Sequence, residues 1–553
     1  MVRLARERGP MALTLVVVVV LAGCSYGGLQ SDAGGNDLGY AVGGAQDADA
    51  FRENVESGYL PTTTDITHEG LYYDYYFETG DHECDESFCP AYSRAVTADP
   101  LSNETEPYLS VGLNSNLNAS DFERERLNLV VVLDTSGSMS SPMAEYYYDG
   151  PRTADNETAA EDRKTKPKMD AATDAVVALT DQLEADDRFG LVTFDSGADT
   201  VVPLDRMGDR DRTALADDVQ SIRAGGGTDL EAGMDRARGL AEGHVGEEGY
   251  DTRVVYLTDA MPNIGETSAD GLESRLDADA DRGIHSTFVG VGLDFNSELV
   301  DAITAVRGAN YYSVHAAERF EERMGEEFAY MVTPMVYDLE LTLDAPGYEI
   351  ESVYGSPDAD DATGELMSVN TLFPSPTEDG ASRGGVILLQ LNRTGDESTL
   401  ELTASYEDRS GERHETTEHL RFDDRQPEYF ETDSVRKAVL LTRYATLTQH
   451  WIEYERATLA GDDPDPPDAG IDESETVALG EWERQSTDLR LSPAYVERFA
   501  TFRSYFSAEA DAIGDDALDQ ELETMATILE TSADGETAVG TNESATTVSP
   551  PTD

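Results

Sequence analysis

Four short apolar runs limit what this chain can fold into more than any other feature. They are "LNLVVVL" (127–133), "RFGLVTF" (188–194), "TRVVYLT" (252–258) and "IHSTFVGVG" (284–292). A strand with one wet face alternates apolar with polar residues; these do not, so each is predicted to be covered on both sides. Amphipathic stretches lie between them. Met169, Ala172, Val176, Leu179 and Leu183 recur at spacings of three and four, which is one face of a helix, and "DLEAGMDRARGLAEG" follows a glycine run in the same manner. Strand and helix in alternation predict an α/β fold, a doubly wound and mostly parallel sheet over 127–333. Its final helix is expected near 316–332.

The flanks read differently. Residues 24–50, rich in Gly, Ala and Asp, are expected to be a flexible tether, and 51–126 an aromatic-rich region in which "GLYYDYYFETG" builds a small core. After Pro334 the period becomes two: Tyr337, Leu339, Leu341 and Leu343 alternate with polar residues, and "GVILLQL" and "TLELTASY" follow. That pattern predicts a β-sandwich over 334–430. From 431 to 530 the chain is expected to be helical. Leu440, Tyr444, Leu447, Trp451 and Tyr454 form one stripe, and a further helix opens at Ser492-Pro493. Residues 531–553 cannot build a core and are expected to be a disordered tail.

Of 553 residues, 112 are acidic and 39 basic, a formal net charge of -73. Such a surface repels itself unless concentrated salt screens it, the pattern of an acidic halophilic protein. No basic face is visible to hold phosphates, so a nucleic-acid partner is not expected. At the N-terminus Arg3, Arg6 and Arg8 precede "MALTLVVVVVLA", an apolar run too short to span a bilayer. It ends in "LAGC", which resembles the lipobox of prokaryotic lipoproteins. The resemblance implies a signal peptide over 1–23, a lipidated Cys24, and a mature chain held by its lipid at the outer face of the membrane. In that compartment Cys84 and Cys89 of "HECDESFCP" read as a disulfide. The alternative, a zinc site with His82 and the nearby acids, lacks four ligands at metal spacing.

Ligands of open α/β sheets gather where loops leave the carboxyl ends of the strands. Three such loops carry hard oxygen donors. "DTSGS" brings Asp134, Ser136 and Ser138, whose spacing by two lets one tight turn aim them together while Gly137 bends the backbone. "AGGGTDL" brings Thr228 at the opening of a helix, and "YLTDAMPN" brings Asp259 after a central strand. Carboxylates with hydroxyls suit Mg²⁺, with Mn²⁺ or Ca²⁺ as alternatives, and do not suit zinc or copper.

In this order and at these separations, "VVVLDTSGSM", "GGGTDL" and "YLTDAMPN" resemble the von Willebrand factor type A (VWA) domain, a Rossmann-like fold with a metal-ion-dependent adhesion site. The resemblance covers about 127–333. It implies that Ser136, Ser138 and Thr228 touch the metal directly, that Asp134 and Asp259 act largely through water, and that the metal recruits an acidic residue of a partner. More weakly, the segments upstream resemble those preceding this domain in some bacterial surface lipoproteins. The sandwich and helices downstream are similar to the surroundings of such domains in inter-alpha-trypsin-inhibitor heavy chains.

One departure is residues 140–167, inserted between the serine loop and the helix at Lys168. This loop must lie on the metal face, where Tyr146, Tyr147 and Tyr148 either select a partner or pack down on the domain. Nothing points to catalysis. "HETTEH" (414–419) lacks metal-protease spacing, and "AGGGTDL" lacks the lysine of a nucleotide-binding loop. The expected function is that of a non-enzymatic surface adhesion lipoprotein. The alternative is an envelope assembly component whose contacts are made by the sandwich and helices. The oligomeric state is not legible.

Overall fold

Alternate residues of strand Arg126–Asp134 feed two different cores, as expected of a strand covered on both faces. Leu129, Val131 and Leu133 pack with Met169, Ala172, Val176 and Leu179 of helix Lys168–Asp181. Val130 and Val132 pack with Met234 and Ala237 of helix Leu230–Ala241, and with Leu272, Leu276 and Ile303 from the next two helices. In the computed structural model this is the centre of a seven-stranded sheet. The structure describes residues 37–79, 86–118, 122–149, 166–314, 327–357, 366–378, 380–422, 425–460 and 481–539. The sheet order is Gly44–Ala45, Asn310–Val314, Ile284–Val291, Tyr250–Thr258, Arg126–Asp134, Arg188–Phe194, Ala198–Arg206, and only the last pair is antiparallel. Of the helix expected near 316–332, Phe328–Met331 is described and 315–326 lie outside the described residues.

Two expectations are corrected. Residues 37–50 are not tether. Strand Asp37–Val42 pairs antiparallel with both Leu366–Ser375 and Thr105–Asn118, and its Leu38, Tyr40 and Val42 are buried. Gly44–Ala45 then adds to the edge of the parallel sheet and helix Asp49–Glu56 follows. The second correction is at the other end. Helix Asp519–Val539 runs past 530 into the stretch read as a tail.

The alternating strands after Pro334 form with Asp37–Val42, Cys89–Ala98 and Thr105–Asn118 a single ten-stranded antiparallel sheet. Strand Thr105–Asn118 pairs with Val386–Arg393, so the 51–126 and 334–430 regions are hydrogen-bonded to each other. Its alternation is shared between two cores. Leu109, Val111 and Leu113 meet Leu341, Leu389 and Leu402 on one side. Tyr108 joins Leu388, Tyr72 and Tyr75 on the other, against helix Asp433–Ala460. On that helix Leu440, Tyr444, Leu447 and Trp451 are buried as the stripe requires, while Tyr454 is 42% exposed beside Tyr495. Among the described residues no helix is long and apolar enough to cross a membrane. Cys89 is in a disulfide; Cys24 and Cys84 lie outside the described residues.

Candidate functional site

The three oxygen-bearing loops meet at the carboxyl edge of the parallel sheet. Asp134 ends its strand with both oxygens engaged: Oδ1 accepts the Ser136 N–H at 2.8 Å and Oδ2 accepts the Thr258 hydroxyl at 2.6 Å. That turn brings Ser136 Oγ within 3.0 Å of Ser138 Oγ. The glycine-rich loop is tied to it, since Gly225 N–H donates to Thr135 O and Gly137 N–H donates to Gly226 O. Thr228 is fixed from the third loop, its N–H donating to Asn263 Oδ1 at 2.9 Å. Asp259 follows strand Tyr250–Thr258 directly, and next to it Ala260 is held at φ +55°, a left-handed conformation rarely adopted by a residue with a Cβ. The Thr258 hydroxyl accepts the Ala260 N–H at 2.9 Å and stabilises that bend.

All five residues are at most 4% exposed. Burial, and then the charge of Asp259, push the Asp134 carboxyl up to about 7. Asp259 Oδ1 has no hydrogen-bond partner among the described residues. A buried carboxylate oxygen left in that state is costly unless a cation takes it. The set fits a hard divalent ion: two carboxylates, three hydroxyls and an unsatisfied oxygen, on loops converging from distant parts of the chain.

Several residues of the site were not singled out from the sequence. Lys168 Nζ lies 3.0 Å from Asp259 Oδ2 and also pairs with Asp294, which sits in the loop after strand Ile284–Val291. Burial alone would lower the Lys168 pKa, but the two carboxylates overcome it and hold the ammonium above its usual range. A signal existed. Lys168 stands four residues before Ala172, on the apolar stripe of its helix, where a lysine must find an internal partner.

The inserted tyrosines divide by role. Tyr146 packs down: its hydroxyl donates to Asn54 Oδ1 at 2.7 Å and its ring meets Tyr59 edge-on. Tyr147 is 41% exposed, and its hydroxyl stands 3.2 Å from where a Cβ on Gly137 would be, directly over the serine loop. Its N–H donates to Asp294 Oδ2 at 3.0 Å. Tyr148 is half-buried, its carbonyl accepting from Gln485 Nε2 at 2.7 Å. Gln485 belongs to an extended segment that crosses the rim of the site. Within it the Trp482 indole donates to Thr267 O at 2.6 Å, Glu483 Oε1 accepts from Asn263 Nδ2 at 3.1 Å, and Ser486 N–H donates to Asp149 at 2.8 Å. Residues 150–165 lie outside the described residues.

A second acidic group, Asp408 with Glu412 and His414, gathers at a hairpin turn. Asp408 there already accepts from the Ser410 N–H and hydroxyl, the Glu412 N–H and His414. His419 sits on the opposite face of the strand, beside Glu401, so "HETTEH" forms no shared site.

Residues 129–262 match the von Willebrand factor type A domain, and this part of the chain carries such a domain. Over 188 residues the chain is 27% identical to an uncharacterized protein of Synechocystis, covering 34% of this chain and 37% of that one. Over 232 residues it is 25% identical to the inter-alpha-trypsin inhibitor heavy chain H4 of Bos taurus, covering 41% of this chain and 22% of that one. The chain thus spans well under half the length of these curated relatives. Among solved structures, a von Willebrand factor type A protein from Catenulispora acidiphila is 17% identical with a TM-score of 0.40, covering 69% of this chain and 84% of that one. The ArnB paralog VWA2 from Sulfolobus acidocaldarius is 13% identical with a TM-score of 0.39, covering 80% and 98%.

Proposed function

We propose that this chain is a surface lipoprotein, anchored through Cys24, that captures a protein partner through a divalent cation held by Asp134, Ser136, Ser138, Thr228 and Asp259. The VWA domain itself suggests protein–protein interaction or adhesion, and domains of this type are generally interaction modules rather than enzymes. The observation that carries the finer reading is the unpartnered, buried Oδ1 of Asp259, a residue whose charge acts on Asp134 at the head of the serine loop. Mg²⁺ is the first candidate for a donor set of this hardness, with Mn²⁺ and Ca²⁺ next. Bound there, the ion would attract a carboxylate from another molecule, because three of its five protein ligands are neutral. Asp134 and Ser136 are held ready by the hydrogen bond between them, and Thr228 by Asn263. Exposed Tyr147 beside the loop suits the partner-selecting role, whereas Tyr146 is committed to Asn54.

The test is a Mg²⁺ titration of the full mature chain and of Ser136→Ala by calorimetry, paired with partner capture from envelope extracts with and without chelator. The reading expects Mg²⁺ binding and chelator-sensitive capture by the wild type, and loss of both in Ser136→Ala with its unfolding curve unchanged. Capture indifferent to chelator and to the substitution would transfer the function to the antiparallel sheet and the helices behind it.

A further inference from the structure

Lys168 is one of four lysines in the whole chain and is fully buried. Its stem passes Gly292, where a Cβ would stand 2.3 Å from Lys168 Cε and where φ is +97°, so glycine is needed there both for space and for backbone. The ammonium at the end of that stem pairs with Asp259 Oδ2 and Asp294 Oδ1. Asp294 Oδ2 in turn accepts the Tyr147 N–H. Asp259 and Asp294, both 0% exposed, thus share a single buried ammonium, and Asp134, also 0% exposed, feels the charge of Asp259. One ammonium cannot balance this set of acids, so the pocket stays under-compensated.

We infer that Lys168 is a built-in counter-cation: it keeps the five-residue site assembled when no metal is bound, and it leaves the acids under-compensated, with negative charge for a divalent ion to offset. This inference rests on the metal reading proposed above. Carboxylates at such burial repel one another strongly, and a buried charge without a partner is destabilising. A lysine suits the task because its ammonium is a compact charge on a flexible stem. It takes one oxygen of Asp259 and leaves Oδ1 unpartnered, so tethering and ligation fall to different atoms of the same carboxylate. Lysine and metal neutralise the same acids. Whichever is missing, the other contributes more to stability.

The experiment measures thermal unfolding of the full mature chain in chelator and in saturating MgCl₂, at matched ionic strength, for wild type, Lys168→Met, Lys168→Arg and Asp294→Asn. A ligand that binds only the folded state raises the melting temperature according to its affinity. Lys168→Met is expected to melt lower than wild type in chelator and to show a Mg²⁺-induced rise at least about twice as large. Lys168→Arg keeps a cation and should respond like wild type. Asp294→Asn removes one acid, keeps an acceptor for Tyr147, and should show a smaller rise than wild type. Equal rises in Lys168→Met and wild type overturn the inference. Should Lys168→Met not fold, Asp294→Asn decides: a rise no smaller than that of wild type overturns it. If wild type binds no Mg²⁺ by calorimetry, the metal reading itself has failed and this inference falls with it.

Discussion

The side chain of Asn263 accepts the backbone N–H of Thr228 at 2.9 Å, and its amide nitrogen donates to Glu483 at 3.1 Å. One residue therefore joins two loops of the candidate site to the segment that crosses its rim. Ligand-holding partners of this kind commonly change metal affinity by about 10- to 100-fold when removed. Asn263→Ala is expected to weaken Mg²⁺ binding by about 10-fold in a calorimetric titration while leaving the unfolding midpoint nearly unchanged.

Tyr146 and Tyr147 are adjacent in sequence and opposite in expectation. Tyr146→Phe removes the hydroxyl bonded to buried Asn54 and should cost about 1 kcal/mol of stability with no effect on partner binding. Tyr147→Ala alters an exposed ring and should change stability by less than about 0.5 kcal/mol. Partner affinity should fall by more than about 1 kcal/mol in that variant if the ring lies in the interface. Chemical denaturation and a binding titration separate the two.

Arg52 ties the N-terminal helix to the last one. Its Nε donates to Glu521 at 3.1 Å and its guanidinium to Asp74 at 2.6 Å, while Tyr75 donates to the same Glu521 oxygen at 2.9 Å. Glu521 is 0% exposed. Arg52→Met leaves that carboxylate buried without its cation and is expected to destabilise the chain by about 3–5 kcal/mol, measured by urea unfolding. The double variant Arg52→Met/Glu521→Leu should recover part of that loss, since the Glu521 charge is gone while Asp74 still lacks its cation.

His68 supplies a pH dependence. Burial beneath Tyr354 and against helix Asp433–Ala460 lowers its pKa to about 4, from 6.5 in the unfolded chain. The folded state therefore holds the ring neutral where the unfolded state binds a proton. Its contribution is full above about pH 6.5 and is lost as pH falls toward 4. Melting temperature should drop over that window, and His68→Gln should flatten this part of the profile.

How much of this was legible depends on how far apart the interacting residues are. The parallel strands and their helices were, because burial on both faces leaves an unbroken apolar run and a helix leaves a period that a short window contains. Asp134, Ser136 and Ser138 were legible as a group for the same reason, being one turn of chain. Strand Asp37–Val42 was not. It holds only six residues, one of them glycine, and its ladder partners come from 105–118 and 366–375, which no local pattern announces. Lys168 could be placed on a buried stripe, but its acids lie in loops after two other strands.

By itself the sequence determined which segments are covered on both faces, where the hard oxygen donors stand, and that the surface is overwhelmingly acidic, since each depends on neighbours along the chain. Only the tertiary structure decided that the N-terminal strands complete the antiparallel sheet, that Tyr146 and Tyr147 part ways, and that a buried lysine stands among the acids of the site. Those outcomes are set by hydrogen bonds and charges between residues remote in sequence, whose pairing exists only once the chain has closed on itself.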